Sequence, residues 1–139
     1  MVYDLGILYD DVDEIQDLVK AERYLRTAID GFRQTVGSEN GSTVIAETAL
    51  TDVLLQQRRY SEAEPLLLHG LHYWEKVDPN PENLSSYQAE IATVRHAQGR
   101  NKEASELLGL SLAPLRKYVA PDSRIRERAE ELAKRLHVP

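Results

Sequence analysis

Apolar residues recur along this chain with the period of an α-helix, and the resulting blocks are repeated. When the sequence is shifted against itself by 41 or 42 residues, three segments fall into register: LVKAERYL (18–25), YSEAEPLL (60–67) and NKEASELL (101–108). Within each copy the apolar or small residues follow the spacing i, i+4, i+7, i+8, i+11, which marks one face of a helix. Three equivalent helices are therefore predicted, and their matched positions are Ala21, Ala63 and Ala104; Leu25, Leu67 and Leu108; Ala28, Gly70 and Ser111; Ile29, Leu71 and Leu112; and Phe32, Trp74 and Leu115.

Turn-forming residues repeat in step with these helices. The breaks are GSENGST (37–43), DPNPENLSS (78–86) and APDS (120–123). A further helical pattern follows each of the first two breaks, in 44–57 and 86–98, and closes at RR (58–59) and GR (99–100). The unit is thus a helix, a short turn, a long helix and a loop. Because one such hairpin cannot bury its apolar faces alone, we expect neighbouring hairpins to stack, with Ala63, Gly70, Ala104 and Ser111 at points of close approach.

The two ends of the chain differ from the repeated part. The segment PDSRIRERAEELAKRLHVP predicts a closing helix capped by Ser123 or Asp122. Its apolar stripe comprises Ile125, Ala129, Leu132, Ala133 and Leu136. The start, MVYDLGILYD, lacks a basic leader and begins within a helical pattern, so we expect a fragment of a longer protein.

Three local features sharpen the helix boundaries. Ser61 and Glu64 have the spacing of a capping box, which predicts Ser61 as the N-cap and places Pro65 in the first turn. Pro114 predicts a kink or an early helix end near residues 110–114, because proline removes a hydrogen bond and crowds the preceding turn. The acidic stretch YDDVDEIQD (9–17) predicts a solvated turn with helix-capping acids.

Composition limits the classes of function. The chain has 139 residues, no cysteine and a net charge of −6, which suits one domain in a reducing, cytoplasmic compartment and disfavours nucleic-acid binding. The longest apolar run, LLGLSLAPL (107–115), is far below the roughly 20 residues that a membrane helix needs. Charge is uneven, since residues 1–19 carry six acids and no base while residues 116–139 carry seven bases and four acids.

Candidate catalytic and metal-binding groups are few. His69, His72 and Glu75 share one helix, but three ligands on an exposed face would lack supporting hydrogen bonds. A calcium loop counted from Asp11 has Gln16 where the essential glycine belongs. The sequence contains no glycine-rich phosphate loop and no base placed to activate a serine. We therefore predict no catalytic site, no cofactor and no metal, and a protein that is not an enzyme.

The repeated unit resembles tetratricopeptide repeats of the long-period type found in kinesin light chain. The resemblance lies in LLQQRRYSEAEPLLLHGLHYWEKVDPNPEN, in LGILY (5–9) and in AQGRNKEASELL (97–108), and it covers nearly the whole chain. Arg95 departs from the pattern, because an aromatic residue is usual there. The resemblance implies an all-α fold, a right-handed α-α superhelix of antiparallel helix hairpins. It implies one domain over 1–139 with repeats at about 1–43, 44–84 and 85–121 and a capping helix at 123–137.

The resemblance also implies a function in protein binding. In such a fold the first helix of each pair lines a concave groove that holds an extended peptide or a partner helix, so we expect a non-catalytic interaction scaffold. This lining is polar and contains no Lys or Arg, which favours a basic or polar partner over a chaperone C-terminus. The outward-pointing positions assigned to the groove are Asp10, Asp11, Ile45, Thr48, Asp52, Leu55, Gln56, Ser86, Ala89, Thr93, His96 and Ala97.

Two other functions remain open from the sequence. One is a regulatory or sensor module of a larger bacterial signalling protein, which a kinase or transcription-factor domain upstream in the parent sequence would favour. The other is head-to-tail self-association through the acidic start and the basic end, which would form chains of molecules. Sedimentation at two salt concentrations tests the latter, because a monomer at both would remove it.

Overall fold

The chain forms helices throughout. A computed structural model describes the backbone of residues 2–139 and the side chains of residues 14–139. The described backbone contains α-helices and no strand, which confirms the predicted all-α class. The helices are α1 (Val2–Thr35), α2 (Gly41–Gln56), α3 (Tyr60–Val77), α4 (Pro81–Ala97), α5 (Asn101–Tyr118) and α6 (Arg124–Leu136).

Two features of single helices differ from the sequence predictions. The turn predicted at 9–17 is wrong, because α1 continues through this stretch to Thr35. The early end predicted near Pro114 is also wrong, since α5 continues to Tyr118. A kink in α5 near Pro114, the other outcome predicted for this position, stays a prediction. Among residues 2–139 we find no helix with the length and apolar character needed to cross a bilayer.

The connectors before α3 and α5 have the same backbone conformation 41 residues apart. The connectors are residues 57–59 and 98–100. Each begins with the glutamine that caps the preceding helix, with φ and ψ of −91° and 3° at Gln57 and of −86° and 2° at Gln98. The middle residue is left-handed in both, with φ of 57° at Arg58 and 77° at Gly99. The third residue is an arginine that caps the next helix and pairs with a glutamate three residues later. This recurrence is consistent with a helical repeat.

The start of α3 corrects the capping prediction. Its N-cap is Arg59, which makes no side-chain capping bond, and Ser61 lies exposed inside the first turn. Ser61 is therefore not the cap, and Glu64 instead accepts hydrogen bonds from two residues of α4. Side-chain caps of the expected type do occur at Asn40, Asn80 and Ser123, which begin α2, α4 and α6. The predicted cap at Ser123 is thus confirmed.

The chain divides into two compact units, residues 1–57 and residues 58–139. In the first unit, α1 packs against α2. Ile29 of α1 is 2% exposed, and the Thr43 hydroxyl donates a 2.6 Å hydrogen bond to the Gly37 carbonyl in the connecting loop. The Arg33 guanidinium lies 3.7 Å from the buried carboxylate of Glu47. These contacts hold the C-terminal half of α1 against α2.

In the second unit, α4 is the central helix and packs against α3, α5 and α6. Its small residues Ala89 and Ala92 join Leu108 and Leu112 of α5 and the apolar stripe of α6 in one buried cluster. Ala63, Gly70, Ala104 and Ser111 are all buried, and close helix approach is confirmed at Gly70, where the Tyr87 ring of α4 leaves no room for a Cβ. The stripe predicted for α6 is confirmed as well, since Ala129, Leu132 and Ala133 belong to this cluster and Ile125 and Leu136 pack against it.

Candidate binding cavity

A cavity of about 740 Å³ opens in the second unit, beside α4 and α6 and the start of α3. Arg128 on α6 and Glu90 on α4 fix how the two helices meet, through a bidentate pair whose Nε–Oε2 distance is 3.1 Å. Beyond this pair the helices leave a polar opening. Its lining residues are Arg58, Tyr60, Thr93, His96, Ala97, Glu127, Arg128, Glu131, Leu132 and Arg135.

The α4 side of the cavity carries two polar residues that the sequence assigned to a groove. Thr93 and His96 are half-buried and lie about one turn apart. The Thr93 hydroxyl lies 3.4 Å from the Ala89 carbonyl and donates to it, and His96 Nδ1 lies 2.7 Å from Asn101 Oδ1. Both side chains are thus positioned by neighbours on the protein and present their remaining surface to the cavity.

The α6 side supplies most of the charge. Glu90 is 5% exposed, and Arg128 neutralises it, because a buried carboxylate needs a hydrogen-bonded partner. The pair of Arg135 and Glu131 is different in kind, since their side chains are 65% and 61% exposed and their nearest atoms are 3.5 Å apart. Arg128 is therefore a structural element of the wall, whereas Arg135 and Glu131 are solvated charges at its rim.

The wall formed by α3 and α4 is braced by a second charged network. Glu64 on α3 accepts hydrogen bonds from Arg95 and, at 2.8 Å, from Gln98 Nε2. Arg95 Nε also lies 3.4 Å from Glu103, which pairs with Arg100. These bonds from Arg95 and Gln98 hold the pKa of the Glu64 carboxyl below its usual range, although partial burial opposes the shift. Arg95, which departed from the repeat pattern, is thus the cation that ties the two helices.

Ala97 also lines the cavity, whereas the other predicted groove residues with described side chains are not part of its lining. The predicted outward orientation is wrong for Leu55 and Ala89, which are 5% and 1% exposed because they pack into the apolar interior. Ile45 is 63% exposed, as expected of an outward position. The half-buried residues are Thr48, Asp52, Gln56 and Ser86, and the Gln56 amide donates to Asp52 at 3.1 Å. The side chains of Asp10 and Asp11 lie outside the described residues.

The metal candidate of α3 has no supporting geometry. His69 is half-buried, whereas His72 and Glu75 are exposed. Within residues 14–139, no three histidine, aspartate or glutamate side chains come close enough together to hold a metal ion. The described side chains therefore offer the polar cavity as the main candidate site.

The sequence argument missed the contribution of α6 and of the connector before α3. It treated α6 as a solvated cap, so Glu127, Arg128, Glu131 and Arg135 were not assigned to a site. One signal for this contribution was present in the sequence. The first helix of each repeat was expected to line the groove, and α6 follows the last repeat at the position where another first helix would come. Its four charges at spacings of one, three and four residues mark the face beside the apolar stripe.

The part of the chain that the structure describes is an all-helical protein whose neighbouring helices pack in a manner consistent with a helical repeat. No protein-family model matches the chain, and no curated protein is similar to it.

Proposed function

We propose that this chain is a non-catalytic protein-binding module that holds a peptide or a partner helix against the cavity beside α4 and α6. The observation that carries the proposal is the cavity itself. Its volume of about 740 Å³ lies within the range of ordinary ligand sites, and three predicted groove residues, Thr93, His96 and Ala97, line it.

The chemistry of the lining supports binding rather than bond breaking. The Thr93 hydroxyl donates to a backbone carbonyl and His96 Nδ1 faces Asn101, so the two are not arranged as a nucleophile and its base. Each arginine of the lining can donate several hydrogen bonds through its planar guanidinium group. Such a surface is suited to recognising charged and polar groups on an extended partner.

The proposal is tested by selecting peptides of about 12 residues, which span about 40 Å when extended, from a random library displayed on phage. The intact chain serves as bait. Affinities of the selected peptides are then measured by fluorescence anisotropy for the unmodified chain, for Thr93→Phe, which fills the cavity, and for Leu110→Phe. Leu110 is 66% exposed on α5 and does not line the cavity, so it provides a matched aromatic control.

We expect Thr93→Phe to weaken binding at least tenfold, or about 1.4 kcal/mol, and Leu110→Phe to leave it unchanged. Circular dichroism must show that both variants keep the helical content of the parent. Failure to select any peptide, or equal affinities for the two variants, would remove the proposal.

A further inference from the structure

We propose that the ligand of this cavity is an extended peptide with one basic and one acidic side chain about four residues apart. This inference rests on the proposed binding function and specifies its partner. It follows from the order of the charged residues along the cavity.

The C-terminal ends of α4 and α6 border the same end of the cavity. Arg128 of α6 meets Glu90 of α4, and the other α4 residues that line the cavity, Thr93, His96 and Ala97, all follow Glu90 in the chain. On α6, Leu132 and Arg135 likewise follow Arg128. The two helices therefore run in the same direction along the cavity.

The charges then separate by sign along this direction. Glu127 lies at one end of this face of α6 and Arg135 at the other, and Glu131 lies between them, 3.5 Å from Arg135. Arg58 joins the basic end, because it lies just before α3, whose first turns contact the C-terminal end of α4 through Glu64 and Gln98. Arg128 does not disturb this order, since the buried Glu90 carboxylate neutralises it.

The distance between the two ends sets the spacing in the ligand. Glu127 and Arg135 are eight residues apart in one helix, which corresponds to about 12 Å along its axis. An extended peptide advances about 3.3 Å per residue, so a basic group at Glu127 and an acidic group at Arg135 would be about four residues apart. The solvated pair of Arg135 and Glu131 is weak enough for a ligand carboxylate to replace.

A ligand of uniform charge fits this arrangement less well. A purely basic peptide would place one cation against Arg58 and Arg135, and a purely acidic peptide would place one anion against Glu127 and Glu131. Like charges in contact oppose association, which makes such arrangements a source of specificity. The expectation of a basic or polar partner was drawn from residues of α1, α2 and α4, and the arginines on α6 and before α3 change it.

The inference is tested on the peptides selected as described above. We expect them to be enriched in pairs of one basic and one acidic residue about four positions apart. A selected peptide of this kind and its two charge variants, with both charged positions basic or both acidic, are then titrated against three proteins: the unmodified chain, Arg135→Glu and Lys134→Glu. Lys134→Glu is the control, because Lys134 is exposed on α6 and does not line the cavity. It changes the charge by the same amount as Arg135→Glu, at the neighbouring position of the helix.

We expect Arg135→Glu to weaken the mixed-charge peptide at least tenfold, about 1.4 kcal/mol, and to strengthen the all-basic variant, whereas Lys134→Glu should change neither ranking. If the selected peptides lack the charge pair but Thr93→Phe still blocks their binding, this inference is overturned and the proposed function stands. If no peptide is selected, both fail. The inference is also overturned if Arg135→Glu keeps the preference of the unmodified chain for the mixed-charge peptide over the all-basic variant.

Discussion

Gly70 lies where α3 passes against the ring of Tyr87 on α4. A Cβ at this position would lie 2.8 Å from Tyr87 Cζ, well inside van der Waals contact. The ring has little freedom to move, because Tyr87 is 7% exposed and its hydroxyl accepts a 3.1 Å hydrogen bond from Trp74 Nε1. The position that aligns with Ala28 and Ser111 is therefore a glycine in this repeat for a steric reason.

We expect Gly70→Ala to destabilise the protein by about 1–3 kcal/mol, the usual effect of overpacking a core. The midpoint of urea unfolding measures it. Gly109→Ala is the matched control, because nothing lies within 4 Å of a Cβ there and an alanine in mid-helix should stabilise by about 0.5–1 kcal/mol. Opposite signs for the two substitutions are the expected result, and two equal midpoints would contradict the close-packing argument.

Arg58 and Gly99 occupy equivalent positions of the two connectors, and both have a left-handed backbone conformation. The Cβ of Arg58 disfavours this conformation, whereas Gly99 has no Cβ. We expect Arg58→Gly to stabilise by about 0.5–1 kcal/mol and Gly99→Ala to destabilise by about 1 kcal/mol, since no atom within 4 Å of Gly99 adds a steric term. Thermal unfolding of both variants checks the pair. A loss of stability in Arg58→Gly would show that the arginine side chain outweighs the strain.

At the scale of the helices, a network of charged and polar residues ties the start of α3 to the end of α4. Glu64 accepts from Arg95 and Gln98, and Arg95 extends the network to Glu103 at the start of α5. Sequence reasoning assigned Glu64 to a capping box because it considered only local spacing. The true partners of Glu64 are 31 and 34 residues away, a distance in sequence that local patterns do not encode.

This network predicts a pH dependence of stability. The pKa of Glu64 is lowered in the folded protein, mainly by Arg95, so its stabilising contribution is complete above the ordinary pKa of an unfolded glutamate and is lost as the pH falls through the lower folded-state value. Between pH 7 and about pH 3, Glu64→Gln should therefore lose less stability than the unmodified chain. Urea unfolding at several pH values measures the difference, with exposed Glu106→Gln as control. Parallel pH curves for all three proteins would contradict this role of Glu64.

Helix boundaries show where local pattern was sufficient and where it was not. Breaks at 37–43, 78–86 and 120–123 were predicted because Gly, Pro, Asn and Asp interrupt helices, and a loop occurs within each of them. The predicted ends of the first two breaks are wrong, because α2 begins at Gly41 and α4 at Pro81. The turn predicted at 9–17 relied on acidic residues alone. Acids are compatible with a helix as well as a turn, so α1 continues where no glycine or proline interrupts it.

At the scale of the whole chain, periodicity predicted the elements and the buried stripes better than the binding surface. The 41-residue repeat identified the small residues that allow helices to approach, because burial imposes a strict spacing. A cavity depends instead on which helices border it. Thr93 and His96 were assigned from their own helix, but Arg135 and Glu127 reach the same cavity only because α6 packs on α4.

The similarity of the two connectors also bears on how the chain can change in length. Residues 57–59 read Gln-Arg-Arg and residues 98–100 read Gln-Gly-Arg, and both adopt one backbone shape. An exchange between the two corresponding stretches of coding sequence would remove or duplicate a block of 41 residues and leave a complete connector at the new joint. Each such event adds or deletes whole helices without disturbing a helix end, so the connectors are sites where the gene can gain or lose repeats in frame.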